Sequence, residues 1–106
     1  MKTLPKLLMV TLLWSQAAWA GPSPQRQQEL IHLLDQDCGS CHGLTRQGGL
    51  GSPLLPEIMA DRSIDTLVAT ILDGRPGTPM PPWRGMLTED DAAWLACRLK
   101  GDHHGC

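Results

Sequence analysis

The chain of 106 residues carries a formal net charge of −2 and is 42 % hydrophobic, with no Phe and no Tyr. Its length fits one small domain, and its acidic balance argues against a nucleic-acid partner. A core this small contributes only about 3–5 kcal/mol, so a staple or a cofactor is expected to supplement it.

The first twenty residues read as an export signal. Lys2 and Lys6 precede an uncharged apolar run, Leu7 to Trp14, and Ala18-Trp19-Ala20 offers small residues at the two positions a signal peptidase reads. The run is too short to span a bilayer, which takes roughly 20 apolar residues. The expected organisation is a signal peptide over 1–20 and one domain over 21–106, exported to a bacterial periplasm. Removing Lys2 and Lys6 takes the net charge from −2 to −4 and leaves Trp83 and Trp94 as the remaining tryptophans.

Beyond that signal, the pattern is one of helices and loops without a strand. Ser23-Pro24 reads as N-cap and first helical residue, and Leu30, Ile31, Leu33 and Leu34 give the following helix an apolar face. This helix delivers the chain to "QDCGSCHGLTR", Gln36 to Arg46. From Gly43 to Pro56, glycine and proline recur throughout, which predicts a loop. A second helix is predicted from Ser63 as N-cap to Asp73, with Leu67, Val68, Ile71 and Leu72 on one side and Gly74 as its stop. "RPGTPMPPW" is irregular. The last helix opens on Thr88-Glu89-Asp90-Asp91, close to a capping box; Ala92, Leu95, Ala96 and Leu99 form its stripe, and Gly101 ends it. Such stripes signal core packing and do not name what the core encloses.

The chemistry lies in Cys38-Gly39-Ser40-Cys41-His42. Cys-x-x-Cys-His is the attachment pattern of c-type haem: two thiols add to the vinyl groups, and the next imidazole reaches the iron from one face. A thioredoxin-like site wants a βαβ setting, which is not visible here. Structural zinc wants four ligands, which Cys38 and Cys41 would have to recruit from the tail "DHHGC". A plain disulfide needs no histidine. In an exported helical chain the haem reading is preferred.

A sixth iron ligand has few candidates. His32 lies within the first helix, and His103 and His104 lie in a polar tail. Met59, Met80 and Met86 are the methionines after residue 20, and a methionine is usually gap-filling core. Met80 differs in its neighbours: Pro79, Pro81 and Pro82 fix φ on both sides, so the loop loses little freedom on presenting a weakly binding thioether. Met80 is therefore the expected axial ligand. His/Met ligation raises the reduction potential relative to two histidines and leaves no open site for oxygen chemistry. The second N–H of His42 should meet a carbonyl, and Pro53 is a candidate, with simple loop turning as the alternative. Trp83 fits either the macrocycle or the ordinary core.

"CGSCHG", the glycine- and proline-rich "GGLGSPLLP", the Met80 loop and the closing amphipathic helix together resemble class I c-type cytochromes over essentially all of residues 21–106. "CGSCHGLTRQGGLG" and "ILDGRPGTPMPPWRGMLTEDDAAWLA" are similar to the cytochrome c-55X subgroup, which accompanies the haem c/haem d1 nitrite reductase of denitrifying bacteria. The resemblance implies an all-α, small class I cytochrome c fold, with three main helices and loops wrapped around one covalent haem. It implies haem on Cys38 and Cys41, iron between His42 and Met80, and a monomeric electron carrier. That carrier would serve nitrite reductase or the maturation of its haem d1. The chain departs from the class at Arg98, where an aromatic commonly helps pack the terminal helices.

Cys97 and Cys106 also stand outside the class pattern. With Cys38 and Cys41 committed to haem, one intrachain pairing remains; an oxidising compartment favours it, while the polar, terminal "DHHGC" favours a frayed, unpaired Cys106. Five residues after Gly101 are enough to retrace the last helical turn. A buried Cys97 with an unpaired Cys106, or a Cys106–Cys106 dimer, are the alternatives. Three functional classes stay open: an electron carrier, a small peroxidase-like enzyme with an exchangeable iron site, and a metal-binding module built on Cys38, Cys41 and the "HHGC" tail.

Overall fold

The computed structural model describes residues 21–103 and Cys106. The expected signal peptide and His104 lie outside the described residues. Among these there is no strand, and no helix is long and apolar enough to cross a membrane.

Helix α1 (Pro24–Leu33) starts as its sequence predicts: Ser23 Oγ accepts the Arg26 N–H at 3.2 Å, and Pro24 occupies a first-turn position where no backbone donor is needed. It runs without a break into a π-helical turn, Leu34–Cys38, and then into α2 (Gly39–His42). The Gly39 N–H reaches back five residues to the Leu34 carbonyl. Such a turn is wider than an α-helical one, so it resets the angle at which the following residues leave the helix. Leu30 and Leu34 therefore face the core, while Cys38 sits half-buried at its border.

Helix α3 (Pro56–Met59) falls where the loop was predicted to end. Pro56 opens it, and the Leu55 carbonyl accepts the N–H groups of Ile58 and Met59. One turn is too short to show a period, which is why composition alone reads as loop. Helix α4 (Ile64–Asp73) is capped by Ser63 Oγ, which accepts the Thr66 N–H at 3.1 Å, and stops at Gly74.

Helix α5 (Glu89–Leu99) carries a full capping box, with Thr88 Oγ1 accepting the Asp91 N–H and Asp91 Oδ2 accepting the Thr88 N–H, both at 3.1 Å. At its other end the Asp102 N–H bonds the Cys97 carbonyl and the Gly101 N–H bonds the Arg98 carbonyl. With Gly101 at φ +94°, this is the paired arrangement by which a left-handed residue closes a helix. The stripe of Ala92, Leu95, Ala96 and Leu99 is buried against α4, as its spacing predicts. Leu30, Leu72 and Leu95 are the largest fully buried side chains, each contributing about 1.5–3 kcal/mol.

Polar groups then fix the packing. Lys100 Nζ donates to the carbonyls of Met59 (3.0 Å), Ala60 (2.9 Å) and Arg62, tying the end of α3 to the end of α5. Arg98 lays its guanidinium 5.5 Å from the centroid of Trp94, so the position that departs from the class pattern still packs against an aromatic. Cys97, buried, is bonded to Cys106 with their Cα atoms 5.7 Å apart. The intrachain pairing is thus the one the structure adopts.

Candidate functional site

Cys38, Cys41 and His42 share one helical run, and the segment after it folds back onto that run through its own backbone. The Gly48 N–H bonds the His42 carbonyl and the Gly51 N–H bonds the Cys41 carbonyl, each at 2.8 Å. These carbonyls belong to the last turn of a helix and have no partner within it. The glycines permit so close an approach: a Cβ on Gly49 would lie 2.7 Å from the Cys41 carbonyl oxygen. Arg46 adopts φ +61° so that its carbonyl receives the Leu54 N–H at 2.9 Å. Its guanidinium meets Asp35 Oδ1 at 2.9 Å, tying the loop to the π-turn.

This loop also fixes His42. Its Nδ1 lies 2.7 Å from the carbonyl oxygen of Ser52. A carbonyl only accepts, so Nδ1 carries a proton, and in the neutral ring Nε2 is the nitrogen with the lone pair. Pro53 is the candidate acceptor in the sequence, with simple loop turning as the alternative; the structure uses the carbonyl of the preceding residue. The reason is local: a residue before proline is held extended, which fixes the direction of the Ser52 carbonyl, while the Pro53 ring packs toward Gly48. Gly51 lies so near the imidazole that an added Cβ would sit 2.6 Å from Cε1.

Both candidate thiols are free. Burial, reinforced by the neighbouring Asp37 carboxylate, pushes the Cys38 thiol up to about 11. It is therefore a neutral thiol near pH 7 and a poor nucleophile for adventitious oxidation.

Met80 is half-buried on a loop whose base is closed at the end of α4. The Trp83 N–H bonds the Ile71 and Leu72 carbonyls, and the Arg84 N–H bonds the Leu72 carbonyl. Arg84 also forks onto Asp73 through Nε (2.9 Å) and Nη2 (3.1 Å), and Thr78 Oγ1 donates to the Arg75 carbonyl at 2.7 Å. The remaining ligand candidates are placed elsewhere: Met59 is in the core, Met86 is exposed, and His32 and His103 are on the surface. Cys106 is committed to Cys97, which removes its thiol from any metal-binding tail. Leu33, Leu54, Val68, Ile71 and Trp83 pack on the core yet remain partly exposed.

Sequence reasoning missed the Ser52 acceptor, the Arg46–Asp35 clasp and the Lys100 grip. The first had a signal, the Ser-Pro dipeptide; the other two are long-range pairs with none.

Comparison with known proteins gives a consistent answer. The family described as cytochrome c oxidase, cbb3-type, subunit III matches residues 25–97. Cytochrome c55X of Pseudomonas aeruginosa is 60 % identical over 78 residues, covering 74 % of this chain and 66 % of that protein. The solved structure of the c-type cytochrome NirC is similar at a TM-score of 0.75 with 54 % identity, covering 80 % of this chain and 100 % of the other. Dihydro-heme d1 dehydrogenase of Pseudomonas aeruginosa is 40 % identical over 86 residues, covering 81 % of this chain but only 16 % of that protein.

Proposed function

Because the chain belongs to the c-type cytochrome family of the cbb3-type oxidase subunit III, we propose that it is a monomeric, periplasmic one-electron carrier of denitrification and not an enzyme. Haem c supplies reversible one-electron exchange when bound. In this reading Cys38 and Cys41 would hold one haem through their thiols, and His42 and Met80 would supply the ligands to its iron. The donor set fits. Two free thiols precede an imidazole whose Nδ1 is engaged by the Ser52 carbonyl, which leaves Nε2 as the ring nitrogen available to a metal, and that bond is the observation on which the reading rests. Leu54, Val68, Ile71 and Trp83, apolar and only partly buried, are side chains that a macrocycle could cover.

The residues divide the work. The Ser52 carbonyl holds the His42 proton at Nδ1 and orients the ring. The anchored Met80 loop excludes water and exogenous ligands, which favours electron transfer over peroxidase chemistry. Export is part of this reading, supported by the signal-like pattern of residues 1–20.

We read the partner as the haem c/haem d1 nitrite reductase, on the likeness to cytochrome c55X. The likeness to part of dihydro-heme d1 dehydrogenase supports a second reading, electron exchange during haem d1 maturation. Acid-acetone treatment tests the covalent haem, which should stay on the polypeptide; complete extraction rejects it. Stopped-flow mixing of the reduced protein with its host's nitrite reductase tests the partner. Transfer far slower than nitrite turnover, together with loss of haem d1 in a deletion strain, would select maturation instead.

A further inference from the structure

We propose that Gly74 is a positioning residue for Met80, placing the ligand loop through backbone contact instead of through a side chain. The inference deepens the reading of Met80 as an axial residue and rests on it. Gly74 is the buried residue that closes α4, with φ +70° and ψ −167°. A Cβ there would lie 2.7 Å from the Met80 carbonyl oxygen, 2.8 Å from the Pro81 carbonyl carbon and 2.9 Å from the Pro82 nitrogen. All three are backbone atoms, so no side-chain rotation relieves the contact.

The segment has little freedom to bend away. Pro81 and Pro82 lock their own φ angles, so Met80–Pro82 moves as one body. Its two ends are held at the same helix terminus: the Arg75 N–H bonds the Met80 carbonyl at 3.3 Å, and the Trp83 and Arg84 N–H groups bond the Ile71 and Leu72 carbonyls. Ordinary contact begins at 3.4 Å, so a methyl at 74 requires the Met80 carbonyl to retreat by about 0.7 Å. A ligating side chain tolerates displacement of only about 0.5 Å before its geometry fails. The absence of a side chain at Gly74 thus sets where the thioether arrives.

Gly77 separates this contact from the cost of a positive φ. It lies in the same loop with φ +78°, and a Cβ on it would meet nothing within 4 Å. Gly77→Ala therefore carries a positive-φ cost without the collision.

The experiment compares Gly74→Ala, Gly77→Ala and Met80→Ala holoproteins, reading the long-wavelength methionine–iron band and the affinity of the ferric protein for imidazole. Gly77→Ala should keep the band. Gly74→Ala should lose most of it and bind imidazole on the order of tenfold more tightly, the size of a direct pairwise coupling. In a Met80→Ala background, Gly74→Ala should no longer change imidazole affinity. A Gly74→Ala protein with the band and affinity of Gly77→Ala overturns the proposal, as does an equal effect in both backgrounds. If Gly74→Ala yields no holoprotein, its recovery when Pro82→Ala loosens the segment supports the contact, and failure to recover rejects it. Persistence of the band in Met80→Ala alone removes Met80 as the ligand, a separate outcome that takes the proposal down with that assignment.

Discussion

Arg26 and Asp91, 65 positions apart, meet through two hydrogen bonds onto one oxygen: Nε to Oδ2 at 3.3 Å and Nη2 to Oδ2 at 2.9 Å. The same oxygen accepts the Thr88 N–H, and Arg26 Nη2 also donates to the Met86 carbonyl at 3.1 Å. One buried carboxylate thereby joins the first turn of α1, the approach to α5 and the cap of α5.

Asp91→Asn should destabilise the protein by about 2–3 kcal/mol, the sum of a weakened cap and a charged hydrogen bond lost from a buried site. For a domain of this size that is a fall in Tm of about 10–20 °C. Thermal melting followed by circular dichroism checks it, and a shift of a degree or two would show the network to be incidental.

The same carboxylate sets an acid limit. Burial opposes its ionisation, but the hydrogen bonds from Arg26 and from the Thr88 backbone outweigh that and hold its pKa below the ordinary carboxylate range. A depressed folded-state value means its stabilisation is complete above an unfolded value of about 3.9 and is lost as pH falls through the folded one. The stability difference between wild type and Asp91→Asn should therefore be constant from pH 7 to about 5 and narrow below pH ~4. A difference that instead grows on acidification contradicts this sign.

Three methionines should give three outcomes. Met80→Ala should abolish low-spin His/Met character, lower the reduction potential and admit small ligands. Met59→Ala should keep that character but cost about 2–5 kcal/mol, because Met59 is only 3 % exposed in the core. Met86→Ala, 62 % exposed, should change neither. Visible spectra with parallel melts resolve all three, and loss of the ligand band in Met59→Ala or Met86→Ala would reassign the ligand.

Gly51→Ala should push the His42 ring off the Ser52 carbonyl. That acceptor makes the imidazole more basic and favours oxidised iron, so losing it should raise the midpoint potential by about 40 mV, about 1 kcal/mol for one electron. Gly85→Ala, where an added Cβ meets nothing within 4 Å, is the control. Equal potentials in the two variants, by spectroelectrochemistry, argue against the contact.

Cys106→Ser should lower stability by at most about 3 kcal/mol, the chain-entropy value for so short a loop. It should leave the visible spectrum unchanged, because neither Cys97 nor Cys106 belongs to the Cys38–His42 run. Intact mass should rise by two hydrogens per monomer when the wild-type protein is reduced. Labelling of both cysteines before reduction would count against the bond.

Much of the architecture is legible in the residues because its signals are local. Ser23, Ser63 and Thr88 each cap the helix they precede, Gly74 and Gly101 stop theirs, and Leu30, Leu34, Leu67, Leu72, Leu95 and Leu99 of the apolar stripes are buried. The Cys38–His42 motif is equally local. What stays hidden depends on tertiary placement. The π-turn leaves no period of its own, and α3 is too short to have one. Pairing of Arg46 with Asp35, or of Lys100 with carbonyls some 40 residues away, follows from where loops land and not from neighbouring letters. His42 choosing Ser52 over Pro53 is a one-residue difference in backbone direction, below what spacing resolves.

The grip of Lys100 on three carbonyls bears on how a docking partner is to be mapped. Lys100 is the one lysine after residue 20, and its ammonium is already engaged by Met59, Ala60 and Arg62. Amine-directed cross-linkers and dyes thus find no free lysine on the described surface, and a negative lysine cross-linking result says nothing about contact. All 11 Asp and Glu residues also lie after residue 20, and Glu57, Asp61, Asp65 and Asp90 are exposed. Carbodiimide coupling through these carboxylates is the chemistry by which the redox interface becomes visible.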